Sequence, residues 1–480
     1  HKVCDQVVGQ MESVYPQLVE SRQFIGEMVQ SEEKRFGRTL LTGLKRFEEI
    51  LANTLEQKEN IISGKEIFKL SDTYGFPMDF AVDLADEKNI RIDTDAYHAE
   101  LNDQKNRSRD SHLKKRKGTQ KLEGIESLQS EFVGYEHDEL EASVIALYQK
   151  SGTEFQKIDS ISRESAPEGL ILVCDRVPFY AESGGQTGDS GSGRNEHASF
   201  IVSNTQKGDG AAILLHAEII NGTIRVGDRF DLAVDRTRRQ QIAIHHSATH
   251  LLHAALREVV GIHVKQSGSL VEPERLRFDF THYKGLTEEE LREAEALVNE
   301  KIRANLPIAD ETLPYDDALE KGAIAIFNEK YTDVVRMVSM GNFSTELCGG
   351  THLKQTGEIG FFKISSESSI SAGIRRIEAL CGNAADKYVH TRLDIFNQIQ
   401  SYFKQKPDNL FEYLKNLNDK LKAKDKEKKN QSDTIDVEKM ASEAVIIDGV
   451  SFAIAHAQTE DRKQLSTAAD QLAKKLEGVA

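Results

Sequence analysis

The chain is poor in cysteine and has no long apolar run. It contains Cys4, Cys174, Cys348 and Cys381, which lack the regular spacing of a disulfide framework. This pattern indicates a reducing compartment, and we expect a cytoplasmic protein. No apolar run approaches the ~18 residues that a membrane span needs, and no signal-peptide pattern opens the chain. We therefore expect no membrane partner.

The chain also lacks a positive net charge. Its 78 acidic and 62 basic residues give a formal charge of −16, which argues against indiscriminate adhesion to nucleic acid or membranes but leaves room for a local basic groove. The length of 480 residues predicts two to four domains. Because the sequence begins with His1 and has no terminal tail, we expect a fragment of a longer protein.

The hydrophobic pattern divides the chain into five regions and predicts an α+β multidomain fold. It predicts a helical N-terminal region (1–127), a small β-barrel of short strands (128–235), a mixed α+β core (236–382), a helical hairpin or short coiled coil (383–432) and a truncated α/β domain (433–480).

Helical spacing supports these divisions at three places. A stripe in the first region has apolar residues three and four apart, and a seam in the fourth region is heptad-like. Thr287 and Glu290 form the pattern of a capping box before a helix in the third region. The stripe consists of Phe36, Leu40, Leu44, Phe47 and Leu51, and the seam of Leu410, Leu414, Leu417 and Leu421.

Four histidines lie in or beside the stretch "IAIHHSATHLL" (242–252). They can be core residues, metal ligands or a catalytic pair. In a helix His246 and His250 share one face, whereas His245 and His253 point elsewhere and are interpreted as structural. The stretch lacks the glutamate of a His-Glu-x-x-His metalloprotease.

A second pair of metal-binding residues occurs about a hundred residues later, in "ELCGGTHL". Cys348 and His352 are also four apart, and with His246 and His250 they complete a set of three nitrogens and one sulfur. This set suits zinc and is poor for magnesium or calcium. A Cys348–His352 nucleophilic pair is the alternative.

Two further stretches are candidates for a binding site. In "FYAESGGQTGDSG" (179–191), Gly184 and Gly185 let the backbone approach a ligand closely, and Gln186 can position a water or a ribose hydroxyl. In "VKQSGSLV" (264–271), Gln266 lies between strand-like runs. A simple β-turn is the alternative interpretation of both.

Basic residues suggest contacts with RNA phosphates at two places. Arg375 and Arg376 follow a glycine in "AGIRRIEAL", and a dense Arg/Lys run at 106–121 includes Lys114, Lys115 and Arg116. The alternative for both is a solvated, charged surface.

Six motifs together resemble the alanyl-tRNA synthetase family. They are "DTYGFP", "PFYAESGGQTGD", "HHSATHLLHAALR", "GSLVEPERLRFDF", "STELCGGTHL" and "AGIRRIEA", which occur in the family's order from about residue 20 to the end. The resemblance implies an editing domain that hydrolyses alanine tRNA mischarged with serine or glycine.

The resemblance assigns roles to individual residues. It implies zinc at His246, His250, Cys348 and His352, a serine-sensing hydroxyl at Thr249, and Gln266 in the pocket. The expected catalytic set consists of Thr249, Gln266, Gln186 and Cys348. The N-terminal helices resemble the part that reads the acceptor stem, where Asp72 would face the G·U wobble pair of tRNA(Ala).

The same resemblance sets expectations about what is missing. We expect no class II aminoacylation core and no ATP-binding motif, so that the parent protein would be an ATP-dependent ligase and this chain an aminoacyl-tRNA hydrolase. The 383–432 helices and the tail resemble the start of a C-terminal domain that binds tRNA and can make a homodimer in the full-length protein. Three alternatives remain: a free-standing trans-editing deacylase, a tRNA-binding module with a structural zinc, and a threonyl-type editing module.

Overall fold

The computed structural model describes residues 1–57, 59–116, 122–152, 154–165, 169–325, 331–432, 436–447, 450–454 and 462–476. The side chains of 17, 20, 106–116, 165, 407, 425–432 and 462–464 lie outside this description. The chain forms two compact units, His1–Lys387 and Tyr388–Ala480. Among the described residues, no helix combines the length and apolar character needed to cross a bilayer.

The first region is helical, as predicted. Its elements are α1 (Lys2–Met11), α2 (Gln17–Glu20), α3 (Arg22–Glu56), β1 (Ile61–Ile62), α4 (Gly64–Tyr74), α5 (Met78–Asp86), β2 (Arg91–Ile92) and α6 (Thr94–Arg116). The predicted stripe packs on the core of this region from Leu40 to Leu51. Phe36 is 48% exposed, so including it in the stripe was wrong. Gly75 ends α4 in the left-handed conformation (φ 64°), and Pro77 precedes α5, so the two residues make a rigid turn between these helices.

Short strands make up the second region. They are β3 (Glu131–Phe132), β4 (Glu139–Ser151), β5 (Glu154–Ile158), β6 (Ser160–Ser162), β7 (Leu170–Cys174), β8 (Arg176–Val177), β9 (Gly191–Arg194), β10 (Ser199–Lys207), β11 (Ile213–Asn221), β12 (Thr223–Arg225) and β13 (Arg229–Val234). The order β13-β9-β10-β11-β7-β4 closes through pairing of β13 with β4, and β5 adds to β4. This six-stranded antiparallel barrel confirms the predicted barrel.

The third region wraps two sheets around a buried helix. Its elements are α7 (Arg236–Val259), β14 (Gln266–Val271), β15 (Leu276–Thr281), α8 (Glu288–Arg303), β16 (Ile308–Pro314), α9 (Tyr315–Glu320), β17 (Val334–Met340), β18 (Ser344–Leu347), β19 (Phe362–Ser371) and β20 (Ile374–Cys381). The sheet orders are β14-β15-β20-β19 and β16-β17-β18. The capping box of Thr287 and Glu290 opens α8 as predicted.

Arg239 fixes α7 against the barrel. Its guanidinium donates to the backbone carbonyl of Gly134 at 3.0 Å and to the Asp189 carboxylate, which is buried. A buried guanidinium needs an acidic partner, and Asp189 supplies it. This contact brings the barrel loops against the histidine face of α7.

Helices dominate the last part of the chain. The elements are α10 (Gly382–Phe403), α11 (Pro407–Ser432), α12 (Val437–Ser442), β21 (Val445–Ile447), β22 (Val450–Phe452) and α13 (Arg462–Lys475). The predicted seam on α11 is buried at Leu410, but Leu421 is 54% exposed. Leu414 and Leu417 are half-buried, so burial of the seam decreases along α11, and a full-length hairpin stays a prediction.

Candidate metal centre

Two separate elements bring the four predicted ligands together. Helix α7 presents His246 and His250, whose rings stack with centroids 5.4 Å apart. The loop after β18 supplies Cys348 and His352. One ligand atom from each of the four residues lies within 4.8 Å of the others, and Cys348 Sγ is 3.4 Å from His246 Nε2 and 3.3 Å from His352 Nε2. The cluster is a candidate His₃Cys metal site whose donor set suits zinc.

Each histidine of the cluster is oriented through its Nδ1 atom. Nδ1 of His246 lies 2.7 Å from Oε1 of Gln186, and Nδ1 of His250 lies 2.6 Å from Oε2 of Glu346. Ser247 Oγ is 3.2 Å from Nδ1 of His352. Because the amide and carboxylate oxygens only accept, the protons of His246 and His250 belong on Nδ1, which leaves Nε2 free to bind a metal.

Glu346 is a fully buried carboxylate beside the cluster. It lies between His250 and His253, whose Nδ1 is 2.8 Å from Oε1. Burial opposes ionisation, but the two imidazoles hold the pKa of Glu346 well below its ordinary range. His253 is thus paired with this carboxylate, and His245 accepts from the Cys381 backbone N–H at 3.1 Å. Both keep the structural roles predicted for them.

The electrostatics of the cluster favour a thiolate at Cys348 and a neutral imidazole at His352. At His250, by contrast, burial is outweighed by Glu346 and Cys348, which raise the pKa of this histidine to about 10. Burial would raise the pKa of Cys348, but the surrounding histidines hold it well below its usual value. Burial and the neighbouring His246 lower the pKa of His352 to about 3. A thiolate and a neutral imidazole are the forms that bind a metal ion.

The "CGG" loop is shaped by close backbone contacts. A Cβ on Gly350 would overlap the ring of His246, so glycine is required there. Arg336 on β17 donates to the carbonyls of Cys348 and Gly350 at 3.0 and 2.9 Å, and its guanidinium lies 4.3 Å from the Tyr135 ring centre. The Tyr135 hydroxyl in turn donates to the carbonyl of Gly349.

A pocket of about 410 Å³ opens onto the cluster. Thr249, Gln266 and Gly184 all line it, together with His246, His250 and Cys348. Lys207 also lines this pocket, which we call the metal pocket. Its Nζ donates to Ser183 Oγ at 2.9 Å, and no carboxylate lies within 4 Å of it among the described residues. The structure thus joins residues from the barrel and the core that are separated by more than 160 positions.

Within the metal pocket, Thr249 is restricted in what it can recognise. Its hydroxyl donates to the carbonyl of His245 at 2.8 Å, so toward a ligand it can only accept a hydrogen bond. Gln266 Nε2 donates to Ser269 Oγ at 3.3 Å, its one side-chain hydrogen bond to a described residue. The side-chain carbonyl oxygen of Gln266 is therefore available to a ligand.

Gln186 and the two glycines occupy a turn. Gly184 and Gly185 have φ of 60° and 87°, which glycine alone adopts without strain. Gln186 is fully buried, and its amide bonds to His246 and to the backbone and hydroxyl of Thr351. Because protein partners use both ends of the amide, these contacts favour positioning of His246 over direct contact with a water or ribose.

The basic residues predicted to contact tRNA are paired or not described. Arg375 Nε is 2.5 Å from Glu367, and Arg376 makes a two-point contact with Asp279 at 2.7 and 2.8 Å. Their charges are thus compensated within the sheet, so neither is a free cation. Lys114, Lys115 and Arg116 lie at the end of α6, and their side chains are outside the described residues. Asp72 is exposed on α4 and accepts a hydrogen bond from Gln104.

Sequence reasoning missed Glu346, Arg336 and Tyr135. A signal existed for Glu346, because alternation along a strand puts its side chain on the same face as that of Cys348, two residues later. Arg336 and Tyr135 give no such signal, since their partners lie on other strands and loops.

Comparisons with known proteins agree with the geometry. Residues 1–238 match the family model described as tRNA synthetases class II (A), and residues 335–378, which contain Cys348 and His352, match the second additional domain of threonyl and alanyl tRNA synthetases. The alanine–tRNA ligases of Burkholderia thailandensis and Burkholderia mallei are each 38% identical over 484 residues. All of this chain is covered, and it spans about half, 54%, of their length.

The class II match changes one expectation. The sequence was expected to lack the class II core, yet residues 1–238 match a class II synthetase model. The chain therefore carries class II synthetase sequence, and the expected absence is corrected to that extent.

Proposed function

We propose that this chain, a relative of the alanyl-tRNA synthetases, hydrolyses the ester of tRNA(Ala) mischarged with serine or glycine. The observation that carries the proposal is the metal pocket itself. Three of the four clustered metal-binding side chains, His246, His250 and Cys348, line it together with a hydroxyl acceptor, Thr249, and an amide, Gln266, in a volume suited to an aminoacyl nucleoside.

His246, His250, Cys348 and His352 would hold zinc at the wall of this pocket. A bound zinc ion supplies Lewis-acid polarisation of the ester carbonyl or orients the aminoacyl amine. The residues fit the ion because the imidazoles of His246 and His250 are fixed with Nε2 free, and because the Cys348 pKa favours the thiolate. A set of four protein ligands also fits a closed structural site, and the chelator experiment below separates the two roles.

The chain's own residues select the substrate. Thr249 accepts a hydrogen bond from a seryl hydroxyl, since its own proton is used by His245. Among the described residues that line the metal pocket there is no carboxylate, so no general base of that kind serves the water. Gln266 and the ribose hydroxyl beside the ester are the groups proposed to hold the water for attack.

The partner proposed is tRNA(Ala), through its 3′ end and acceptor stem. Lys207 at the metal pocket has no carboxylate partner among the described residues and is suited to contact a backbone phosphate. The helical region that contains Asp72 is proposed to read the stem.

The test is loss of the ester from tRNA(Ala) charged with serine, glycine or alanine. The unmutated chain should release serine and glycine much faster than alanine, and Cys348→Ala should abolish this. Cys4→Ala, the same change on α1 away from the pocket, is the matched control. Activity that survives complete removal of the metal by a chelator would show that the ion takes no part in hydrolysis, and loss of activity together with loss of the folded state would indicate a structural role. No ester loss at all by the unmutated chain would overturn the proposal.

Ligation of alanine is a second candidate function. The class II match over residues 1–238 and the ligase names of the relatives favour it. Alanine-dependent exchange between ATP and pyrophosphate by the purified chain is the measurement. Exchange above that of a no-alanine control would support ligation, and its absence alongside rapid ester loss would leave editing alone.

A further inference from the structure

Two stacked tyrosines form the wall of a second cavity beside the metal pocket. The ring centroids of Tyr315 and Tyr331 are 5.4 Å apart with an interplanar angle of 22°. The cavity has a volume of about 550 Å³, and we call it the tyrosine shelf. It is lined by Pro314, Tyr315, Asp316, Tyr331, Thr332 and Asp333.

The tyrosine shelf and the metal pocket are neighbours. Tyr331 and Thr332 line both cavities, and the strand that follows, β17, continues into the metal pocket through Val335 and Arg336. The Tyr315 backbone N–H donates to the carbonyl of Asp333 at 3.0 Å, which ties the two halves of the shelf together. A ligand chain that leaves the metal pocket on this side therefore meets the tyrosines.

The chemistry of the shelf is aromatic and hydrogen-bond accepting. Asp316 and Asp333 are exposed, and neither has a basic side chain within 4 Å among the described residues. Exposed carboxylates repel phosphate but accept hydrogen bonds from an exocyclic amine, as an aspartate does with N4 of cytosine. Aromatic rings stack on bases of any sequence.

We propose that the tyrosine shelf binds the base of the nucleotide that precedes the terminal adenosine, the cytosine of the tRNA CCA end. Tyr315 or Tyr331 stacks on this base, and Asp316 or Asp333 accepts from its amine. The inference rests on the proposed function, because it assumes that the terminal aminoacyl adenosine occupies the metal pocket.

The tyrosines also contribute to packing, which the test must separate from binding. Both are partly buried against the apolar cluster of Ala318, Ala323, Val335, Met337 and Leu347. Tyr315→Leu keeps an apolar side chain but removes the aromatic face, whereas Tyr315→Phe keeps the face. Thermal unfolding of both variants reports any loss of packing.

The first experiment compares two substrates, seryl-tRNA(Ala) and the seryl ester of free adenosine. Tyr315→Leu should lower kcat/KM for the tRNA by about tenfold, the scale of one lost base stack, and leave the adenosine ester unaffected. Tyr315→Phe should behave as the unmutated chain. Equal effects of Tyr315→Leu on both substrates, or no effect on either, would overturn the proposal that the tyrosine shelf binds this base.

The second experiment changes the base. Replacing the penultimate cytosine by uracil puts a carbonyl where the amine was, so the unmutated chain should bind an uncharged CUA-ended acceptor hairpin more weakly than a CCA-ended one. Asp316→Asn or Asp333→Asn should reduce this preference, because an amide can donate to uracil. Equal binding of the two hairpins by the unmutated chain would refute the base contact. This binding measurement does not need turnover, so it tests base binding by the tyrosine shelf even if the chain does not hydrolyse the ester.

Discussion

Glu346 lies between His250 and His253, with an oxygen 2.6 Å from Nδ1 of His250. The carboxylate is buried in the core and has no solvent to balance its charge. Its function is therefore to fix the ring of His250 so that Nε2 points at the cluster, as carboxylates do behind metal-binding histidines.

Removing that carboxylate should weaken metal binding. Glu346→Gln keeps the shape but loses the charge that orients His250, so zinc affinity should fall roughly 10- to 100-fold. Competition with a zinc-binding dye measures it. Glu293→Gln, an exposed position on α8, is the control and should keep full affinity; matching affinities for the two variants would contradict the role of Glu346.

Zinc content should depend on the Cys348 side chain. We expect about one zinc per chain, and Cys348→Ala should lose it, because the thiolate is the only soft ligand of the set. Since tRNA binding rests on phosphate contacts elsewhere, affinity for tRNA should change little. Elemental analysis and a filter-binding assay check both. Full zinc occupancy in Cys348→Ala would show that the cluster does not hold the ion.

Thr249 should control which ester is cleaved. Thr249→Val removes the acceptor for a seryl hydroxyl, so the discrimination between seryl and alanyl esters should shrink by about 1–2 kcal/mol, the scale of one hydrogen bond. Zinc content should be unchanged. Thr249→Ser retains the hydroxyl and should retain the discrimination. If Thr249→Ser and Thr249→Val discriminate equally between the two esters, the hydroxyl does not recognise the substrate.

His282 should make the protein sensitive to acid. Burial lowers the pKa of His282 to about 4, and His263 lies 3.0 Å away. The unfolded chain takes up a proton below about pH 6.5 and the folded chain only near pH 4, so stability should fall as the pH drops between these values, by at most about 1.4 kcal/mol per pH unit from this group.

The check is the thermal unfolding midpoint of the unmutated chain and His282→Gln between pH 7 and pH 4. The midpoint of His282→Gln should fall less steeply with acid. His137→Gln, at an exposed position on the barrel side, should follow the unmutated chain. Parallel curves for all three proteins would rule out His282 as the source.

The sequence alone was sufficient for the ligand set and for the class of fold. Four-residue spacing puts His246 and His250 on one helix face, and the Cys-Gly-Gly-Thr-His turn brings Cys348 to His352, because both are local geometries. Short strand-like runs separated by Gly and Asp turns likewise predicted the barrel strands.

The tertiary structure decided what surrounds those ligands. Gln186, Glu346 and Arg336 meet the cluster from a turn and two strands far apart in the chain, and local periodicity carries no information about such contacts. For the same reason local patterns did not show that Phe36 is exposed or that Arg375 and Arg376 are paired: both depend on which distant residues lie opposite them. Local patterns specify which residues lie on the same face of a helix or strand. Only the packed fold specifies which distant residue each side chain contacts.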